Sequence, residues 1–300
     1  MRWISCLVFF FFISGIADAK DNPPKILIVN SDNSVVKYTI AQDEFKTSIH
    51  YPIVDINLSD NEWDEEQFKN LLIKESPTLI YAIGSKAFLF SQKYADKNIP
   101  IVFSSIVNCM RFEMRENTYG IRREIHPGMQ LSIFKYFFPS IKKIGLLYSK
   151  EYTEEWFNQT QNEAKNMDIE LIGKEIEKGV GALINEKIDA FWMISEPAIL
   201  SDKEFLLSIF KDCDAHKLPI FADYEALAKQ GASLVVTVND ATIGKQAANI
   251  AMQLLKGLKV KNNINYPAGS YVIFNQKVVE AYGLHYSKEA VRSSDMIIKK

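Results

Sequence analysis

Short apolar runs closed by polar loops recur along this chain and alternate with stretches whose apolar residues fall at helical spacing. The runs at Lys25–Val29, Ile53–Asn57, Leu79–Ile83, Ile99–Phe103, Lys143–Tyr148, Ile169–Ile172, Asp189–Ile194, Pro219–Phe221, Ser233–Val238 and Tyr271–Phe274 are too short for helices and read as buried strands. Between them, sets such as Trp63, Phe68, Leu71 and Leu72, or Met129, Leu131 and Phe134, mark amphipathic helices. Strand and helix alternate through two blocks separated by a charged stretch, Arg111–Arg123, which reads as a linker. This pattern predicts an α/β chain of two doubly wound lobes, each with a parallel sheet covered on both faces.

The stretch Thr78–Asn108 organises the first block. Its two strands and the helix between them form a βαβ unit, and in such sheets ligands sit beyond the carboxyl ends of the strands. The loops there are rich in hydroxyls: Gly84-Ser85 after one strand, Ser104-Ser105 and then Asn108 after the next, and Ser31 after the first strand of the chain. Ser85 is placed to cap the helix that follows.

Composition adds a compartment. Arg2 precedes an apolar run from Ile4 to Ile16, followed by Ala17-Asp18-Ala19, the layout of a signal peptide over residues 1–19 cleaved after Ala19. The run is shorter than the roughly 20 residues of a membrane-spanning helix. Its removal takes away one base, Arg2, and one acid, Asp18, so the net charge stays at -2, a balance that argues against nucleic acid as a partner. Cys109 and Cys213 remain, without metal-ligand spacing, in a compartment that permits a disulfide; two buried unpaired thiols is the favoured reading and a bridge the alternative. No metal or cofactor motif is present: there is no phosphate-binding glycine loop, no G-x-S-x-G, no H-E-x-x-H, and His50, His126, His216 and His285 are scattered.

Several segments, in order, resemble one known family. Ile121–Leu131 (IRREIHPGMQL) and Lys142–Tyr148 are similar to the G-x-S/R-R/E-E-x-P-x-x-Q-L segment and K-x-I-G-x-L-Y strand of ABC-transporter substrate-binding proteins of the tryptophan/tyrosine-binding type. The likeness continues through Leu218–Phe221, Lys229–Ala232, Ile243–Ala248, Val272–Asn275 and Ala281–Leu284. It implies a type I periplasmic-binding-protein fold whose two lobes are joined by three hinge crossings. Lobe one would be residues 24–119 plus 239–264 and lobe two 120–238 plus 265–300. It implies further a monomer in the periplasm that delivers a small-molecule ligand to an ABC permease in the inner membrane. Three ligand-facing loops depart from the family's pattern: Asn108-Cys109 stands where many members have Asp-Pro, Asn239-Asp240 where they have Asp-Tyr, and Ser149–Tyr152 where they have Asn-Pro.

An amino-acid ligand needs donors for its carboxylate and an anion for its ammonium. Gly84-Ser85, with Ser104 and Ser105, suits the carboxylate. Asp223, Glu196 and Asp240, each at a strand end, are rival partners for the ammonium, and Tyr152 with Trp156 offers an aromatic wall. Two other readings stay open: a ligand sensor for a membrane signalling receptor, and a hydrolase or lyase on an α/β scaffold.

Overall fold

A computed structural model describes residues 23–299; the expected signal peptide lies outside them. The first block folds as β1 (Ile26–Asn30), α1 (Val36–Ser48), β2 (Ile53–Asn57), α2 (Glu65–Glu75), β3 (Leu79–Ile83), α3 (Ser85–Tyr94), β4 (Ile101–Ile106) and β5 (Thr118–Arg122). After a first crossing come α4 (Pro127–Phe137), β6 (Lys143–Tyr148), α5 (Glu154–Lys165), β7 (Glu170–Glu175), α6 (Gly179–Asn185), β8 (Ala190–Met193), α7 (Pro197–Leu200), α8 (Lys203–Ala215), β9 (Ile220–Ala222), α9 (Ala226–Gln230) and β10 (Leu234–Val238). The chain then returns to the first lobe with α10 (Asp240–Leu255) and β11 (Ile264–Asn265). It crosses a third time to β12 (Ser270–Asn275), α11 (Gln276–Ala281), α12 (Lys288–Arg292) and β13 (Met296–Ile298).

The strands assemble into two sheets, ordered β11-β5-β4-β3-β1-β2 and β13-β12-β10-β9-β8-β6-β7. Alternation along β1 and β3 explains why both faces of the first sheet are covered: Leu27, Val29, Ile80 and Ala82 pack with Phe68 of α2 and Phe88 of α3, whereas Ile26, Ile28 and Tyr81 pack with Phe45 of α1 and Ile243 of α10. Phe45 stacks on Tyr81 at 4.1 Å between ring centroids. Burying two apolar faces is why these strands carry no polar alternation.

The structure refines the sequence expectations at four points. The stretch expected to be a linker contains β5, which pairs with β4 on one side and β11 on the other. Gly120 at its centre masks the strand signal, yet glycine is needed there, because the Phe103 ring lies 2.5 Å from where a Cβ would stand. β5 keeps residues up to Arg122 in the first sheet, and β11 keeps Asn265 there, beyond the boundaries the resemblance placed at 119 and 264. Ser104 and Ser105 belong to strand β4 rather than to a loop after it. The second sheet is not wholly parallel: β10 ends and β12 begins on the crossing side, so the two run antiparallel, Val238 opposite Ser270. Cys109 and Cys213 are both buried and unpaired.

Candidate functional site

The carboxyl ends of β4, β5, β6, β8 and β9 converge on a cleft between the two sheets, the place the topology reserves for a ligand. A cavity of about 260 Å³ lies there. Its first wall is the loop after β4, with Val107, Asn108 and Met110. The register of β4 against β5 shifts between Phe103 and Ile106, and Ser105 (φ 61°) and Asn108 (φ 49°) both adopt left-handed backbone, a conformation that side chains seldom hold without support. Support comes from the crossing segment, where Glu124 accepts the Asn108 N–H.

The opposite wall is built on a buried carboxylate. Glu196, fully excluded from solvent, accepts from the Ser149 N–H at 3.3 Å, the Ser149 hydroxyl at 3.0 Å, the Thr153 hydroxyl and the Ala198 N–H at 3.1 Å. Four donors satisfy a carboxylate that would otherwise be costly to bury. They lock the loop between β6 and α5, which places Tyr152 and Trp156 on the cavity. Behind Trp156 stands Trp192, edge to face at 5.2 Å, so the aromatic wall continues into the core.

The floor is charged. Asp223, just beyond β9, lines the cavity and accepts from the Ser195 N–H at 3.0 Å and the Ser195 hydroxyl at 2.7 Å. Burial pushes its carboxyl up to about 6, against the two hydrogen bonds from Ser195 that favour the anion. Glu124 and Arg122 line the same cavity, and Arg122 donates to the Tyr266 hydroxyl at 2.7 Å while its guanidinium lies over that ring. Tyr266 belongs to the third crossing, and the His126 ring of the first crossing stands edge to face against it at 4.8 Å. Among the described residues, no cluster of three or more His, Cys, Asp or Glu could hold a metal, and no helix is long and apolar enough to cross a membrane.

A family model described as ABC transporter substrate binding protein matches residues 53–298, most of the chain. The chain belongs to that family. A curated tyrosine-binding protein of Clostridioides difficile is 23% identical to this substrate-binding protein over 203 residues, 63% of the chain; the match spans 57% of that relative's length. Among solved structures, the ligand-free, open form of a substrate-binding protein with adhesive properties from Clostridium difficile superposes with a TM-score of 0.72 at 18% identity, covering 92% of this chain and 100% of that one. A domain from Streptococcus pneumonia in complex with L-Trp gives 0.57 at 17%, covering 91% and 100%. These likenesses show the fold: two lobes of the periplasmic-binding kind.

Of the residues singled out from sequence, Asn108, Tyr152, Trp156 and Asp223 meet at the cavity of this substrate-binding protein. The others lie elsewhere or are occupied. The Ser31 hydroxyl oxygen accepts the Ala87 N–H at 2.9 Å and so caps α3, the role expected of Ser85. Gly84 supplies the positive φ of 84° that starts that helix, and Ser85 heads it, half-buried. The Ser104 hydroxyl pairs with the Tyr81 hydroxyl at 2.7 Å, and Ser105 is buried with its hydroxyl unpartnered among the described residues. Glu196 accepts from four backbone and hydroxyl donors, as above, and does not line the cavity. Asp240 is held by Arg123. Sequence reasoning missed Arg122, Glu124 and Ser195. The first two sit inside IRREIHPGMQL, where two adjacent arginines and a glutamate precede a helix and face different ways only once β5 ends.

Proposed function

We propose that this chain is the extracytoplasmic receptor of an ABC importer, that it captures an aromatic amino acid between its two lobes, and that it presents the closed form to a membrane permease without altering the ligand. The observation that carries this is one cavity in which an aromatic wall, Tyr152 and Trp156, faces a pair of carboxylates, Asp223 and Glu124. The ligand's ring packs on Trp156 and its ammonium lies between the two acids. Arg122 faces the first carbonyl carbon's oxygens, which in a free amino acid are the carboxylate. The tyrosine-binding relative and the L-Trp complex support the ligand class.

Capture works by closure. Val107, Asn108 and Met110 come from the first lobe, Tyr152, Trp156, Ser195 and Asp223 from the second, and Arg122 with Glu124 from the segment that joins them. A ligand touching all three satisfies its charges fully only when the lobes close, so binding shifts the population toward the closed state. No histidine is among the residues lining the cavity, which supports capture without chemical conversion.

Isothermal titration of residues 20–300 with L-tyrosine, L-tryptophan, L-leucine and glucose tests this reading. Saturable binding of the aromatic amino acids, recovered unchanged, with at least a tenfold loss in Trp156→Ala, is the expected result. No binding by either aromatic compound, or its chemical conversion, rejects it.

A further inference from the structure

The cleft continues past Asp223. A second cavity, about 340 Å³, adjoins the first and shares Val107, Glu124, Ile125, Ser195, Pro197 and Asp223 with it, so the acidic pair lies where the two meet. The first chamber is near the ~300 Å³ low end of ligand pockets and holds one aromatic side chain with its amine; the second adds more room than the first. Its chemistry is also different. Lys37, in the first turn of α1, lines it half-buried, and among the described residues it forms no ion pair. Its ammonium lies 5.6 Å from the centroid of the Tyr38 ring; burial together with the neighbouring Arg123 pulls its pKa down, against the Asp240 carboxylate, which favours the charged form. Arg123 lines the chamber too, but is paired with Asp240. Thr237 is 7% exposed, lines the chamber, and among the described residues its hydroxyl has no hydrogen-bond partner.

A half-buried ammonium without an ion pair among the described residues, and a hydroxyl open to the same cavity, are groups that suit an anion. The α-carboxylate of a single amino acid does not account for them: with the ring on Trp156 and the ammonium between Asp223 and Glu124, that carboxylate faces Arg122, which lines the first cavity only. One further extended residue adds roughly 3.5 Å of reach. We infer that the second chamber is a subsite for a carboxylate carried one residue beyond the amine, held by Lys37 and Thr237, and that the preferred ligand is a dipeptide with an aromatic N-terminal residue. The inference rests on the receptor reading given above and names its substrate class. Binding costs no chemistry: the peptide carbonyl takes the place of the α-carboxylate at Arg122, and the terminal carboxylate neutralises Lys37.

Titration calorimetry of the mature chain with L-tyrosine, tyrosyl-glycine, tyrosyl-glycinamide and glycyl-tyrosine decides it. The expected order is tyrosyl-glycine at least tenfold tighter than tyrosine, with the advantage lost on amidation and in Lys37→Met, which keeps the apolar stem and drops the charge. The amide is read on the unaltered protein, so the test survives a variant that fails to fold. Tyrosine binding as tightly as tyrosyl-glycine overturns the subsite while leaving the aromatic amino-acid reading in place. A dipeptide advantage that amidation leaves intact overturns the role of Lys37. Absence of binding by all four overturns both readings together.

Discussion

Arg123 donates through Nη1 to the carboxylate of Asp240, 117 positions further along the chain, and so ties the first crossing between the lobes to the start of α10 just after the second. Both side chains are largely buried, at 15% and 17% exposure. Arg122, one residue earlier, reaches Tyr266 in the third crossing. Two adjacent arginines therefore clamp all three crossings, and the hinge is a charged knot rather than a bare backbone ribbon. Removing one partner leaves the other poorly solvated, which costs more than the pair itself is worth. Arg123→Ala is expected to lower stability by about 1–3 kcal/mol in urea denaturation. A double-mutant cycle with Asp240→Ala should return a coupling above about 0.5 kcal/mol; an additive cycle shows that the contact carries no energy.

Asp223 titrates inside the working range. Its folded carboxyl is raised to about 6 by burial, above the ordinary 3.8, so the folded state holds the proton more tightly than the unfolded chain does. The sign follows from linkage: the stability this group contributes is fully present below about 4 and is lost as pH rises through about 6. Ligand binding runs the other way, since an ammonium needs the anion. Affinity for an aromatic amino acid is expected to fall as pH drops below 6, and Asp223→Asn should bind weakly with a flat profile between pH 5 and 8. A wild-type affinity unchanged from pH 7.5 to 5 removes Asp223 from the site.

Glu196 shows how a residue can shape a site without touching the ligand. Its four donors hold the Ser149–Thr153 loop and the start of α7, and the Tyr152 N–H in turn donates to the Ser149 hydroxyl at 3.2 Å. Glu196→Ala leaves these donors buried and unmet and is expected to cost about 2–4 kcal/mol. Glu196→Gln keeps one acceptor oxygen and should fall between the two. The readout that separates scaffold from ligand anion is the pH profile of binding: Glu196→Gln weakens affinity at every pH alike, while Asp223→Asn changes the profile's shape.

Much of the fold is legible because burial on two faces writes itself as uninterrupted apolar runs; β3 and β6 coincide with theirs residue for residue. What escaped is local and physical. β5 was hidden by Gly120 and by arginines serving the hinge, β13 is an exposed-to-half-buried edge strand of only three residues, and α7 spans four residues. The site was less legible still. Strand-end hydroxyls and acids were the right residue types, but Ser31, Ser104 and Glu196 satisfy the protein's own backbone and side chains, and one-dimensional order does not reveal which polar group is already occupied.

Gly244 provides the last test, because there α1 and α10 touch through backbone. A Cβ on Gly244 would stand 2.3 Å from the Ala41 carbonyl oxygen and 2.9 Å from the Glu44 Cβ, closer than atoms approach without something moving. The obstacle is main chain and cannot rotate away, so the two helices must separate. These helices flank the hinge: α10 starts at Asp240, and Lys37 and Tyr38 lie in the first turn of α1. Gly244→Ala gains helix propensity of about 1 kcal/mol but forces an overpacked contact of about 1–3 kcal/mol. Because the clash is against rigid backbone, the net expectation is destabilisation. Melting temperature measured with and without ligand tests both parts: a stabilised apo protein refutes the close packing, and an unchanged ligand-induced rise shows that α1 and α10 do not set the cleft.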